Sequence, residues 1–167
     1  MDSGQCMQPE RQIKKLLWIV IVGLMLSGIT AFPLETELSL AVSLLYFVGM
    51  NNTVFGWITL VHSGVVDTYS KFPFVAYGTD WLAFAHLVFA VLFIGPLKDP
   101  VKNIWVIEFG IISSVAIVPF AFVAGYFRGI PFFWQLIDCS FGIICGTLLL
   151  ICRFRIKQME LLCNNFP

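Results

Sequence analysis

Residues 132–152, FFWQLIDCSFGIICGTLLLIC, carry a single charged side chain, Asp138, across a length that decides what the chain can become. A hydrocarbon core of ~30 Å takes about 20 helical residues, with a usable range of about 17 to 25. Three other segments meet that requirement: 13–32, ending before Pro33; 80–97, closed by Gly95-Pro96; and 104–127. None of the four alternates in polarity, so a membrane barrel is excluded and helices are the remaining way to satisfy the backbone in lipid. Composition agrees. Of 167 residues, 59% are hydrophobic and only 12% charged, where a soluble domain has about a quarter charged. With no linker or charge block to divide it, the chain reads as one all-α membrane domain over 1–167, a bundle of four transmembrane helices.

The stretch 38–61, LSLAVSLLYFVGMNNTVFGWITLV, is long enough to cross but is interrupted by Gly49 and Asn51-Asn52. Charge decides its place. With four spans and the N-terminus inside, Arg11, Lys14, Lys15, Lys98, Lys102, Arg153, Arg155 and Lys157 are cytoplasmic, and only Lys71 and Arg128 lie outside. A fifth crossing splits these residues evenly and abolishes the inside excess that orients such proteins. Residues 33–79 are therefore expected as an outer cap with two short interfacial helices, about 38–49 and 54–66, the second showing Trp57, Leu60, Val61 and Gly64 at helical spacing. Both termini are then cytoplasmic. A cleaved signal peptide at the start is the weaker reading, because the apolar run exceeds a typical signal core and Ile29 spoils the small-residue spacing before Ala31.

Helices in lipid associate through small residues that let backbones approach. Such stripes occur in each span: Gly23, Ser27 and Ala31; Ala83, His86 and Ala90; Gly110, Ser114, Ala121, Gly125 and Arg128; Gln135, Asp138, Gly142 and Gly146. His86 and Asp138 fall on these stripes, and counted from outer helix ends at Asp80 and Pro131 they share one depth. An aspartate in the bilayer costs roughly 2.5 to 3.5 kcal/mol at a helix centre unless paired or wetted. The expected site is an outward-open polar pocket of His86, Arg128, Gln135 and Asp138, rimmed by Tyr77 and Asp80. Each member also has a plain structural role: Asp80 as a helix-start residue, Arg128 among headgroups, His86 as a hydrogen-bonder, and Asp138 as interhelical glue. Glu108 is accounted for by snorkelling or by a pair with Arg153 or Arg155, and Pro119 by a kink that neighbours satisfy.

No basic cluster marks a nucleic-acid partner. Cys6, Cys139, Cys145, Cys152 and Cys163 lack C-x-x-C spacing and read as reduced thiols. His62, His86, Asp138 and Cys139 do not make a metal signature, two histidines are a poor basis for haem, and no cofactor is expected. A serine elbow and a phosphate loop are both missing. The chain is thus expected to be a non-enzymatic accessory, scaffold or small-ligand-binding protein, its partners the lipid bilayer and a larger membrane protein or a second copy. Two alternatives stay open: a proton-coupled or anion transporter or receptor, and a membrane enzyme acting on a lipid or quinone through His86 and Asp138.

The strings YGTDWLAFAH, GPLKDPVKNIWVIEFG and RGIPFFWQLIDCSFG resemble those of a group of small four-helix integral membrane proteins of bacteria, over roughly residues 71–152. The resemblance implies a bacterial plasma (inner) membrane and four helices, and it brings no activity or functional residue with it.

Overall fold

The computed structural model describes residues 4–164, with side chains over 10–161. Among the described residues there is no strand, and the helices are α1 (Gly4–Ala31), α2 (Leu34–Phe47), α3 (Thr53–Lys71), α4 (Pro73–Leu92), α5 (Ile94–Lys98), α6 (Ile104–Arg128) and α7 (Phe132–Asn164). Four stretches among them are long and apolar enough to cross a membrane: Glu10–Ala31, Pro73–Lys98, Ile104–Arg128 and Phe132–Leu161. The chain is accordingly a multi-pass membrane protein by length and composition. By contact it divides into two compact units, the described parts of Met1–Val22 with Ala90–Pro167, and Gly23–Phe89.

The first unit holds every fully buried large side chain among the described residues: Ile13, Leu17, Pro96, Val106, Ile107, Leu149, Cys152 and Ile156. Its centre is the α6–α7 hairpin, which closes on small residues. A Cβ on Gly142 would stand 2.8 Å from the Ser114 carbonyl oxygen, one on Gly146 3.1 Å from Ser114 Cβ, and one on Gly110 2.6 Å from Leu149 Cδ1. At one end Arg153 grips Glu108 Oε1 through Nε and Nη2, both at 2.9 Å, the pairing that the sequence offered for Glu108. Helix α7 runs well past 152, to Asn164; a helix of that length reaches roughly 50 Å and must leave the membrane. Its buried Leu149, Cys152 and Ile156 recur every three to four residues, so packing continues into the charged end.

The turn between α5 and α6 is held by side chains. Asn103 Nδ2 donates to the Gly95 and Asp99 carbonyls at 3.2 and 2.9 Å. The backbone N–H of Lys102, 3.0 Å from Asp99 Oδ1, keeps the Asp99 carboxyl below the usual range, and the Lys102 ammonium adds to the effect.

The second unit packs more loosely. Helices α2 and α3 bury no residue among those described. Gly28 of α1 meets α4, where a Cβ would come 2.9 Å from the Ala83 carbonyl oxygen and 2.8 Å from Leu87 Cδ2. The expected α1 stripe is therefore displaced: Gly23 and Ser27 are exposed, and Gly28 carries the contact. Both faces of α1 offer small residues, so the sequence did not rank them. Helix α4 starts at Pro73 rather than at Asp80. Proline suits a first turn because its missing N–H needs no partner there. The Thr79 hydroxyl sits 2.7 Å from the Ala76 carbonyl and 2.8 Å from Tyr69 Oη, so a residue that looked like a cap is spent inside the helix.

Candidate functional site

The first unit carries a cleft of about 220 Å³ at the α6–α7 turn, lined on its polar side by Arg128, Gln135 and Asp138 and on its apolar side by residues such as Ile117, Phe120 and Ala121. The local fold explains how it is built. Gly129 ends α6 in the left-handed region at φ 64°, and its N–H faces the Gly125 and Tyr126 carbonyls. The Ile130 N–H returns to the Gly125 carbonyl at 2.9 Å. This is the double-bonded glycine stop of a helix C-terminus, and it leaves Arg128 at the very end of α6.

Gln135 braces that turn. It is 8% exposed, its Nε2 donates to the Ile130 carbonyl at 2.7 Å, and its side chain fills the space beside Gly125, where a Cβ would come within 2.5 Å of Gln135 Cδ. The residue expected to line the pocket therefore also locks it.

Arg128 and Asp138 are both exposed, and among the described residues neither makes a hydrogen bond or an ion pair. The inward orientation expected for Asp138 is corrected: Cys139, 4% exposed, takes the packing position. Relative to Gln135, a helix with 3.6 residues per turn puts Asp138 about 60° to one side and Cys139 about 40° to the other. Gly142 and Gly146 fall within about 20° of Gln135 by the same count. Asp138 is thus the member of its stripe farthest from the contact line, and it borders the cleft. Two unpaired opposite charges at the edge of an apolar groove suit a ligand with a charged head and an apolar body.

Tyr77 and Asp80 are placed in the second unit, in a shallow depression with Phe32, Trp81 and Phe84. Tyr77, Trp81 and Phe84 form a ladder along α4, with ring centroids 6.0 and 5.8 Å apart and rings nearly perpendicular at 89° and 88°. An aromatic run of this kind is typical of a membrane interface. Asp80, seven residues into α4, does not start it. His86 also belongs to the second unit, and its Nδ1 lies 2.8 Å from the Leu82 carbonyl oxygen one turn earlier. That is the plain hydrogen-bonding role open to it from sequence. The shared depth of His86 and Asp138 was counted from Asp80, and with α4 beginning at Pro73 that count loses its starting point.

The apolar side of the cleft was not foreseen. The signal was present: Ala124, Ala121 and Ile117 precede Arg128 by four, seven and eleven residues, on one face of α6. Cys139 and Cys152 are buried free thiols and Cys145 is half-buried, while Cys6 and Cys163 lie outside the residues whose side chains are described. Among the described residues, no group of three His, Cys, Asp or Glu side chains comes together as a metal ion would require. No family model matches the sequence, and neither a curated protein nor a solved structure is significantly similar to it.

Proposed function

We propose that the chain is a non-enzymatic binding protein of a bacterial inner membrane, with both termini cytoplasmic, that holds a small amphipathic molecule at the outward-facing α6–α7 turn. The observation that carries this reading is the pair of unpartnered charges, Arg128 and Asp138, at the edge of one apolar cleft. Arg128 supplies a fork of donors for an anionic head. Asp138 accepts from a hydroxyl or ammonium on the same head. Ile117, Phe120 and Ala121 offer apolar cover for the tail. The excess of Lys and Arg near residues 11–15, 98–102 and 153–157 supports the orientation.

Native mass spectrometry of the detergent-purified protein, with extraction of what it carries, tests the proposal. An amphiphile with an anionic head is expected on the wild type and depleted about tenfold or more in Arg128→Ala, with a smaller loss in Asp138→Asn. A co-purified complement that is the same in all three proteins would exclude the cleft as its site.

A further inference from the structure

We propose that α2 and α3 form a re-entrant hairpin whose tip lies within the hydrocarbon of the outer leaflet, rather than a cap standing in water or lying flat on the surface. The argument begins with charge. Between residues 34 and 71 the charged residues are Glu35 and Glu37 in the first turn of α2, and Asp67 and Lys71 at the end of α3. Residues 38–66 carry none, and the structure folds that uncharged stretch in half. All four charges therefore gather at the base, where Lys71 Nζ and Asp67 pair at 2.8 Å. At the opposite end Tyr46, Phe47 and Val48 are 77%, 88% and 73% exposed. Asn51 and Asn52 share that turn and are exposed too, but they carry no charge; a helical hairpin with an ionic base and an uncharged, largely apolar tip is divided as a membrane and its interface are divided.

Immersion also requires that polar groups be satisfied internally; Trp57 Nε1 is buried without a partner, whereas other groups of the hairpin meet the condition. Ser43 and Ser63 hydroxyls donate to the Ser39 and Leu60 carbonyls at 2.9 Å each. Asn52 Oδ1 accepts from the Val54 and Phe55 N–H groups at 3.1 Å each. In the turn, the N–H groups of Val48, Gly49 and Met50 return to the Leu44, Tyr46 and Leu45 carbonyls. Reach and connection agree. Helix α2, with 14 residues, extends roughly 21 Å, short of a ~30 Å core, so the tip ends inside it. Phe32-Pro33 and Phe72 join the base directly to α1 and α4, two of the membrane-spanning helices. A hairpin that enters and leaves on one side preserves the four-span count and its positive-inside balance. The proposal does not depend on the α6–α7 cleft.

The test uses the full-length chain with its native cysteines replaced, reconstituted in phospholipid vesicles, and nitroxide labels at Phe47→Cys, Glu37→Cys and Asp67→Cys. Val48→Cys serves as a second tip position, and the high exposure of Phe47 and Val48 means that neither label disturbs packing. Collision with oxygen, which concentrates in hydrocarbon, is compared with collision with a water-soluble nickel chelate. The tip labels are expected to collide several-fold more often with oxygen than with nickel, and the base labels the reverse. Tip labels open to nickel would overturn the proposal in favour of a hairpin in water. Tip labels shielded from both agents would overturn it in favour of a protein partner or a second copy covering the tip.

Discussion

The α6–α7 and α2–α3 hairpins each turn at a glycine in the left-handed region, Gly129 at φ 64° and Gly49 at φ 74°, but of their helices only α6 and α7 are long and apolar enough to cross a membrane. They differ in what their other glycines do. A Cβ on Gly110, Gly125, Gly142 or Gly146 would collide with or crowd a neighbour, whereas Gly56 and Gly64 of α3 have nothing within 4 Å. The first hairpin buries Val106, Ile107, Ser114, Gln135 and Leu149; the second buries no residue among those described. The higher hydrophobicity of α6 and α7 does not by itself explain their closer packing, because lipid tails receive a leucine as readily as a neighbouring helix does. Close backbone approach, with the many small dispersion contacts it permits, distinguishes them.

The contrast can be broken most directly at Gly142. Its added methyl would meet a backbone oxygen, Ser114 O, which cannot rotate aside. Gly142→Ala is expected to destabilise the protein by about 1–3 kcal/mol, read as a lower midpoint of unfolding in mixed micelles. Unchanged stability would mean that α6 and α7 do not approach as described. The Glu108–Arg153 pair comes next. Its side chains are 42% and 36% exposed, so screening limits the coupling to about 0.5–1 kcal/mol. A double-mutant cycle of Glu108→Ala and Arg153→Ala should show it, with the coupling reduced at high salt. The smallest effect has the opposite sign. Gly56→Ala and Gly64→Ala are expected to leave stability unchanged or raise it by up to about 1 kcal/mol, since alanine is the better helix former and neither position is crowded. A loss there comparable to Gly142→Ala would reveal a partner packed against α3.

Much of the fold was legible in the sequence, and the reasons are specific. Long, sparsely charged apolar stretches marked the four spans, and Gly49 with Asn51-Asn52 and Gly129-Ile130-Pro131 marked the two turns, because these residues favour positive φ, capping or a stop to the helix. The α6 and α7 stripes were visible as glycine and serine at spacings of three and four. Fewer details of the site were legible. Of the expected pocket, Arg128, Gln135 and Asp138 line one cleft, while His86, Tyr77 and Asp80 belong to the other unit. Gln135 as the brace of the turn, and Cys139 rather than Asp138 at the contact, were not foreseen. Nor was the start of α4 at Pro73. A polar Thr79-Asp80 pair looks like a helix cap in sequence, and only the hydroxyl's return to the Ala76 carbonyl shows that the helix is already under way.

The sequence by itself determined that this chain enters a membrane as helices, since nothing else satisfies the backbone of long, non-alternating apolar segments in hydrocarbon. It also marked the turns at Gly49 and Gly129, though not the start of α4 or the end of α7. Tertiary structure alone decided the exact contact residues, selecting Gly28 over Gly23 and Cys139 over Asp138. In lipid both faces are apolar, so the hydropathy that announces a span does not indicate which side packs; that is settled by how closely two backbones can approach.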